Sequence, residues 1–205
     1  YAVIRREGGP SGSADWTHLN ADVANTAKSD DALVKLPLGL LWFGGSSHHD
    51  VLPRHGHGPS ELVVGGRLFI QGMNVLSARD IYTGQVLWQR EFDDLGTFGV
   101  YYDKSYVDNP LDQTYNQIHI AGANARGGNY AAAQDGIYLL KQSDCLLLDP
   151  ATGETTKTFS LPADGSGKKP DWGYIGVYED LLIAGAGIVK FSEMTGAKMR
   201  IWDNF

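Results

Sequence analysis

"ARDIYTGQVLW", residues 78 to 88, decides how the chain is read, because it packs an acidic residue, a Thr-Gly turn and a tryptophan into eleven positions. Asp80 can accept hydrogen bonds from the next few backbone N–H groups, Thr83 can do so more weakly, and Gly84 supplies the positive φ that closes a tight turn. After the turn, Gln85-Val86-Leu87-Trp88 has the β-branched and aromatic character of a strand. The residues before it, "VVGGRLFIQGMNVLSARD", hold a Gly65-Gly66 turn, a strand over Arg67-Leu68-Phe69-Ile70 and another around Val75-Leu76. The local pattern is a meander of short strands with a turn about every ten residues.

Composition agrees with an all-β chain rich in turns. Of 205 residues 26 are glycine, well above the usual ~7%, and 11% are aromatic. The length suffices for one ordinary domain with a core of its own. A net charge of −7 with no basic run argues against a nucleic-acid partner. The longest apolar runs, such as "LVVGG" and "GIYLL", fall far short of the ~20 residues a membrane-spanning helix needs. The single cysteine, Cys145, cannot form an internal disulfide. A first residue of Tyr1 rather than Met is expected for a processed product or a fragment.

The stretch repeats. "GGRLFIQGMNVLSARDIYTGQVLW" from Gly65 is echoed by "QDGIYLLKQSDCLLLDPATGETTKTF" from Gln134. Gly66 then corresponds to Gly136, Asp80 to Asp149, and Thr83-Gly84 to Thr152-Gly153. An earlier half-copy is "PLGLLW", in which Leu40-Leu41-Trp42 matches Val86-Leu87-Trp88, and a later, weaker one is "YEDLLIAGAG" followed by "EMTGAKMRIW".

On these residues the chain resembles the pyrroloquinoline-quinone-like, or quinoprotein-type, β-propeller repeat, whose signature is A-x-D-x-x-T-G-x-x-x-W; "LLDPATG" resembles the same motif without its tryptophan. The resemblance covers roughly residues 16 to 205 in three to four units. It implies a single partial propeller domain over residues 1–205, with about four blades of four antiparallel strands in an incomplete ring. It also implies that Asp80, Thr83, Gly84, Trp88, Asp149, Thr152 and Gly153 are scaffold, with the tryptophan docked and buried between blades and Lys157, its counterpart, not buried. Remaining blades would complete the ring, since closed propellers have about 4 to 8. By the same resemblance the protein is expected in the bacterial periplasm or secreted.

Propellers bind ligands at the mouth of the central channel, so the segments leading into each unit's hairpin are where a site is expected. These are "DWTH" (Asp15 to His18), "RHGHG" (Arg54 to Gly58), "NARGGNY" (Asn124 to Tyr130) and "DWGY" (Asp171 to Tyr174). The candidate rim residues are Trp16, His18, Arg54, His55, His57, Arg126, Asn129, Tyr130, Trp172 and Tyr174. A polar pocket with aromatic walls suits a planar, sugar-like or anionic ligand, with the two arginines as bidentate anion partners. The same residue types also hold blade to blade in propellers, and that packing reading stands beside the pocket.

"SSHHDVLPRHGHG" carries four of the six histidines. His55 and His57, two apart on an extended segment, project to one face as metal-binding pairs do, with Asp50 as a further carboxylate and zinc or copper as the first metals to test. Solvated loop histidines are the plainer reading. Quinoprotein dehydrogenases of the resembled family carry an adjacent cysteine pair, a stacking tryptophan and Glu/Asn/Asp ligands for calcium. The cysteine pair is absent here, while Trp172 could stand in for stacking and Asn129 or Asp171 for calcium. No nucleophile elbow or phosphate-cradling G-x-x-x-x-G-K pattern occurs. Two functions remain open. One is a scaffold binding a small molecule or a protein. The other is part of a quinoprotein oxidoreductase that uses pyrroloquinoline quinone and calcium, with ligands partly outside this segment.

Overall fold

The computed structural model describes residues 9–52, 59–102, 104–108, 128–187, 190–194 and 197–201. The chain forms two four-stranded antiparallel sheets, each a simple meander. The first runs β1 (Leu62–Val64), β2 (Arg67–Gly72), β3 (Val75–Asp80) and β4 (Val86–Glu91); a short helix, α1 (Lys104–Asp108), follows it. The second runs β5 (Tyr130–Ala133), β6 (Gly136–Lys141), β7 (Asp144–Leu148) and β8 (Thr155–Ser160). Next come the pair β9 (Trp172–Tyr178) and β10 (Leu181–Ala186), and the pair β11 (Lys190–Met194) and β12 (Ala197–Ile201). The first strands, β1, β5 and β9, lie against one another in that order. The fold is therefore a partial β-propeller with an open ring.

The two copies of the repeat fold alike down to their irregularities. Ala78 pairs with Trp88 before the ladder slips so that Arg79 faces Val86. Leu147 pairs with Lys157 before the same slip puts Leu148 opposite Thr155. The acidic turns match as well. Asp80 Oδ1 accepts from the Tyr82 and Thr83 amides at 3.0 and 2.9 Å, and Asp149 Oδ1 accepts from those of Ala151 and Thr152 at 2.7 and 2.9 Å. Gly84 and Gly153 close the turns at φ +72° and +75°, each donating its amide to the Asp carbonyl at 2.8 Å. The turn hydrogen bonds hold the Asp80 carboxyl below its ordinary range against a desolvation effect that pushes it up.

Packing follows the strand period of two. Phe69, Leu76 and Ala78 of the first sheet meet Ile137, Leu139 and Leu148 of the second. The alternate residues of the second sheet, Tyr138, Leu140 and Cys145, meet Trp172, Ile175 and Val177 of β9. Each such large apolar side chain contributes roughly 1.5–3 kcal/mol on burial, so both faces of the middle sheet are cohesive. Because one strand register puts alternate residues on opposite faces, both interfaces depend on it together.

The tryptophans act as latches between successive units. Trp42 lays its ring on Gly84 and donates Nε1–H to the Ile81 carbonyl at 2.8 Å. Trp88 lays its ring on Gly153 and donates to the Pro150 carbonyl at 3.0 Å. A Cβ at Gly84 or Gly153 would come within 2.5 or 2.7 Å of the ring. Glycine is thus required there twice, for its φ and for its lack of a side chain. Arg90 reinforces the second latch, donating Nη1–H to the Gly153 carbonyl at 2.7 Å and to Thr155 Oγ1 at 2.8 Å.

Two details depart from expectation and one meets it. Trp88 is half-buried rather than buried, because it sits on the outermost strand and only one face is covered by the next turn. The counterpart Lys157 is exposed, as expected, and lies over the Phe159 ring at 4.7 Å. The end units are incomplete: residues 36–43 latch through Trp42 without forming a strand, and the last unit splits into two two-stranded sheets.

The latch predicts coupled energetics. Trp88→Ala should destabilise by about 2–4 kcal/mol in urea unfolding, less than a fully buried tryptophan. Gly153→Ala should cost about 1–3 kcal/mol through strain and the ring clash. In a double-mutant cycle Gly153→Ala should cost less in the Trp88→Ala background, since the clash has gone; additive costs would refute the latch.

Candidate functional site

The inner hairpins give a common frame for the site. In each unit the first two strands are joined by a two-residue turn: Val64 pairs with Arg67, Ala133 with Gly136, and Tyr178 with Leu181. One step back from the turn the pairs are Val63–Leu68, Ala132–Ile137 and Val177–Leu182. Val63, Ala132 and Val177 are therefore equivalent, and each lies on a first strand whose other edge faces away from its sheet. An open strand edge presents unpaired N–H and C=O groups that require partners.

Three consecutive residues of the N-terminal segment meet those three positions. Trp16 exchanges both backbone hydrogen bonds with Val63, at 2.7 and 2.8 Å. The Thr17 carbonyl accepts from the Ala132 amide at 2.9 Å. His18 Nε2 accepts from the Val177 amide at 2.9 Å. Asp15 adds a bridge, accepting from the Gly65 amide at 3.1 Å and from Gln134 Nε2 at 2.7 Å. Ser60 Oγ donates to the Leu19 carbonyl at 3.0 Å. The "DWTH" stretch thus works as a strap across the inner edges of all three units.

The strap fixes the protonation of His18. Because Nε2 accepts, the proton of the neutral ring sits on Nδ1 and is donated to Thr17 Oγ1 at 2.7 Å; that hydroxyl in turn donates to the Ala21 carbonyl at 3.2 Å. Burial holds the imidazole below its ordinary pKa of 6.5, with Asp22 pulling weakly the other way.

The remaining candidates divide. Tyr130 is buried and donates its hydroxyl to the carbonyls of Ser60 at 2.7 Å and Phe69 at 3.2 Å, which ties the second unit to the first. Trp172 is buried and donates to the Ser143 carbonyl at 2.9 Å, tying the third unit to the second. Trp16 packs half-buried on the core between the first two sheets. Asn129 and Tyr174 stand at one equivalent level, three residues before Ala132 and Val177. Asn129 is buried with neither amide atom hydrogen-bonded, while Tyr174 is exposed. Arg54, His55, His57 and Arg126 lie outside the described residues, and so does the His55–His57 metal pair. Asp50 accepts from Ser47 and Gln89.

The quinone's requirements can be compared with these positions. The Cys145 thiol is buried, with its pKa pushed up to about 12 by desolvation, and it has no neighbouring cysteine in sequence. Trp172 spends both faces and its N–H inside the protein. Asp171 is exposed, and no group of three His, Cys, Asp or Glu side chains among the described residues is close enough to hold a metal ion. The described residues do not assemble a quinone or calcium site.

Sequence reasoning singled out "DWTH" as a channel rim; the structure lays it along the first strands of three units. That reasoning missed Thr17 and Ser60, whose contacts run through backbone groups that any residue type carries.

No protein-family model matches the chain, and no curated protein sequence matches it. Its fold matches solved structures. The quinohemoprotein alcohol dehydrogenase of Comamonas testosteroni superposes with a TM-score of 0.50 at 21% identity, over 86% of this chain and 24% of its own. A europium-containing methanol dehydrogenase gives 0.52 at 18% identity, over 92% of this chain and 31% of its own. BamB from Moraxella catarrhalis gives 0.36 at 18% identity, over 66% and 37%. The chain spans less than a third of the length of either dehydrogenase. The likeness is one of fold, a β-propeller.

Two measurements test the strap. A folded-state pKa below that of the unfolded chain means that His18 stabilises fully above about pH 6.5 and less as the pH falls below it. The midpoint of thermal unfolding should therefore drop between pH 6.5 and 5 more steeply in the wild type than in His18→Gln, whose amide oxygen can accept without titrating. Tyr130→Phe, which removes the hydroxyl proton shared between the Ser60 and Phe69 carbonyls, should cost about 1–3 kcal/mol with the secondary structure unchanged by circular dichroism.

Proposed function

We propose that this chain is a propeller module that binds another protein, and that it carries no quinone chemistry of its own. The observation that carries this reading is the strap: Trp16, Thr17 and His18 occupy the inner edge of three successive units, where a channel ligand would have to enter. Contact with a partner then falls to the outside. There, residues 36–43 hold an apolar run open to solvent, with Leu36 86%, Leu40 81% and Phe43 92% exposed, anchored by Trp42. A contiguous exposed apolar run of this kind is the usual mark of a protein-contact surface. A periplasmic or secreted location, inferred from the repeat resemblance, belongs to the same reading.

The test uses the full-length protein with Leu40→Ser and Phe43→Ser introduced together. The binding reading expects an unchanged unfolding midpoint and loss of a partner that co-purifies with the wild type from its own host. A midpoint lowered by several degrees would instead assign the run to packing within the protein's own propeller. Titration of pyrroloquinoline quinone with calcium should leave the absorbance the sum of the components; a new saturable band overturns the proposal in favour of the oxidoreductase.

A further inference from the structure

Arg79 is the one arginine or lysine among the described residues that is fully buried, at 8% exposure, and no described carboxylate lies within ion-pairing distance. Nη2 donates to Ser46 Oγ at 2.5 Å, Nη1 makes only a long 3.5 Å contact with the Gly84 carbonyl, and Nε is buried without a partner. A cation held this way lacks the compensation that buried charge requires.

The repeat does not ask for this arginine. Arg79 pairs with Leu68 as Leu148 pairs with Ile137, so the second unit fills the same slot with a buried leucine. Carbonyl capping of the turn uses little of it, because Nη1 meets the Gly84 carbonyl only at 3.5 Å, whereas Arg90 of the first sheet meets the equivalent Gly153 carbonyl at 2.7 Å. The charge is extra to the fold.

Its surroundings are those of an anion site. Nε–H and Nη2–H lie along one edge of a guanidinium, the edge that carboxylates and phosphates take as a fork. Ser46, accepting from Nη2, keeps its own hydroxyl proton to donate, and it is partly exposed, which gives a small ion a way in. His48, two residues on in the same loop, also has a buried Nε2 without a partner.

We propose that Arg79 and Ser46 form a binding site for a small oxyanion, phosphate or carboxylate, between the first sheet and the Ser46–Asp50 loop. The site uses neither the strap nor the exposed side chains of the apolar run, so it stands whether or not the protein-binding reading does.

Thermal unfolding against sodium phosphate and, separately, sodium acetate, at ionic strength held constant with chloride, tests it. The wild type should show a saturable rise in the midpoint, roughly 3–6 °C at ten times the dissociation constant. Which of the two anions raises it assigns the ligand, and a rise with either supports the site. Arg79→Leu, the residue the second unit uses, should fold and lose the rise, and Ser46→Ala should need several-fold more anion. No rise beyond the chloride control overturns the proposal. An equal rise in Arg79→Leu does so too, and should that variant not fold, an unshifted titration in Ser46→Ala decides against the site.

Discussion

The structure rests on a tryptophan ring lying flat on a glycine that belongs to the next unit. A sheet of four short strands buries too little on its own to be stable, so each unit has to be fixed to its neighbour. The acidic turn does this by presenting a bare backbone surface. The Asp carboxylate draws the turn amides inward, the glycine adopts a φ that other residues resist, and an indole can then approach to van der Waals contact. The contact spans very different lengths of chain. Trp42 reaches a carbonyl 39 residues on and Trp88 one 62 residues on, so the second interval accommodates a long insertion without disturbing the latch.

The latches fix the outer ends of the units, and the strap fixes the inner ends. It joins positions at a single level of three ladders, which is possible only because the units share one register. A single-residue slip in any unit would turn its amide away from the strap and at the same time exchange the two faces of its sheet. Register, packing and the axial contacts are therefore one constraint.

Much of this was legible in the sequence, and the reason is local chemistry. An Asp, a Thr-Gly pair and a following Trp dictate a turn and a docking surface within eleven residues, so the correspondence of Asp80 with Asp149 and of Trp42 with Trp88 could be read directly. The site was read less well. Tyr130 and Trp172 look like ligand-facing aromatics in a linear sequence, yet their polar atoms go to the carbonyls of Ser60, Phe69 and Ser143, contacts that leave no mark on the partner's residue type. His18 looked like a rim residue open to a ligand, and its Nε2 accepts from the Val177 amide far along the chain. The end units read as a half-copy and a weaker copy, but the split of the last and the missing strand of the first did not show, since a repeat motif reports the turn and not whether neighbouring strands are present.

One substitution in the repeat has a mechanical consequence. Where Trp88 closes the outer junction between the first two units, the second unit offers Lys157, whose ammonium rests on its own strand's Phe159. The junction between the second and third units is held by Trp172 on Ser143, by His18 on Val177 and by an apolar cluster that reaches Phe159 of β8, with no indole at its outer end among the described residues. The two seams of the middle sheet are thus closed by different means: an indole seated on a glycine on one side, and on the other an apolar face carried outward as far as Phe159.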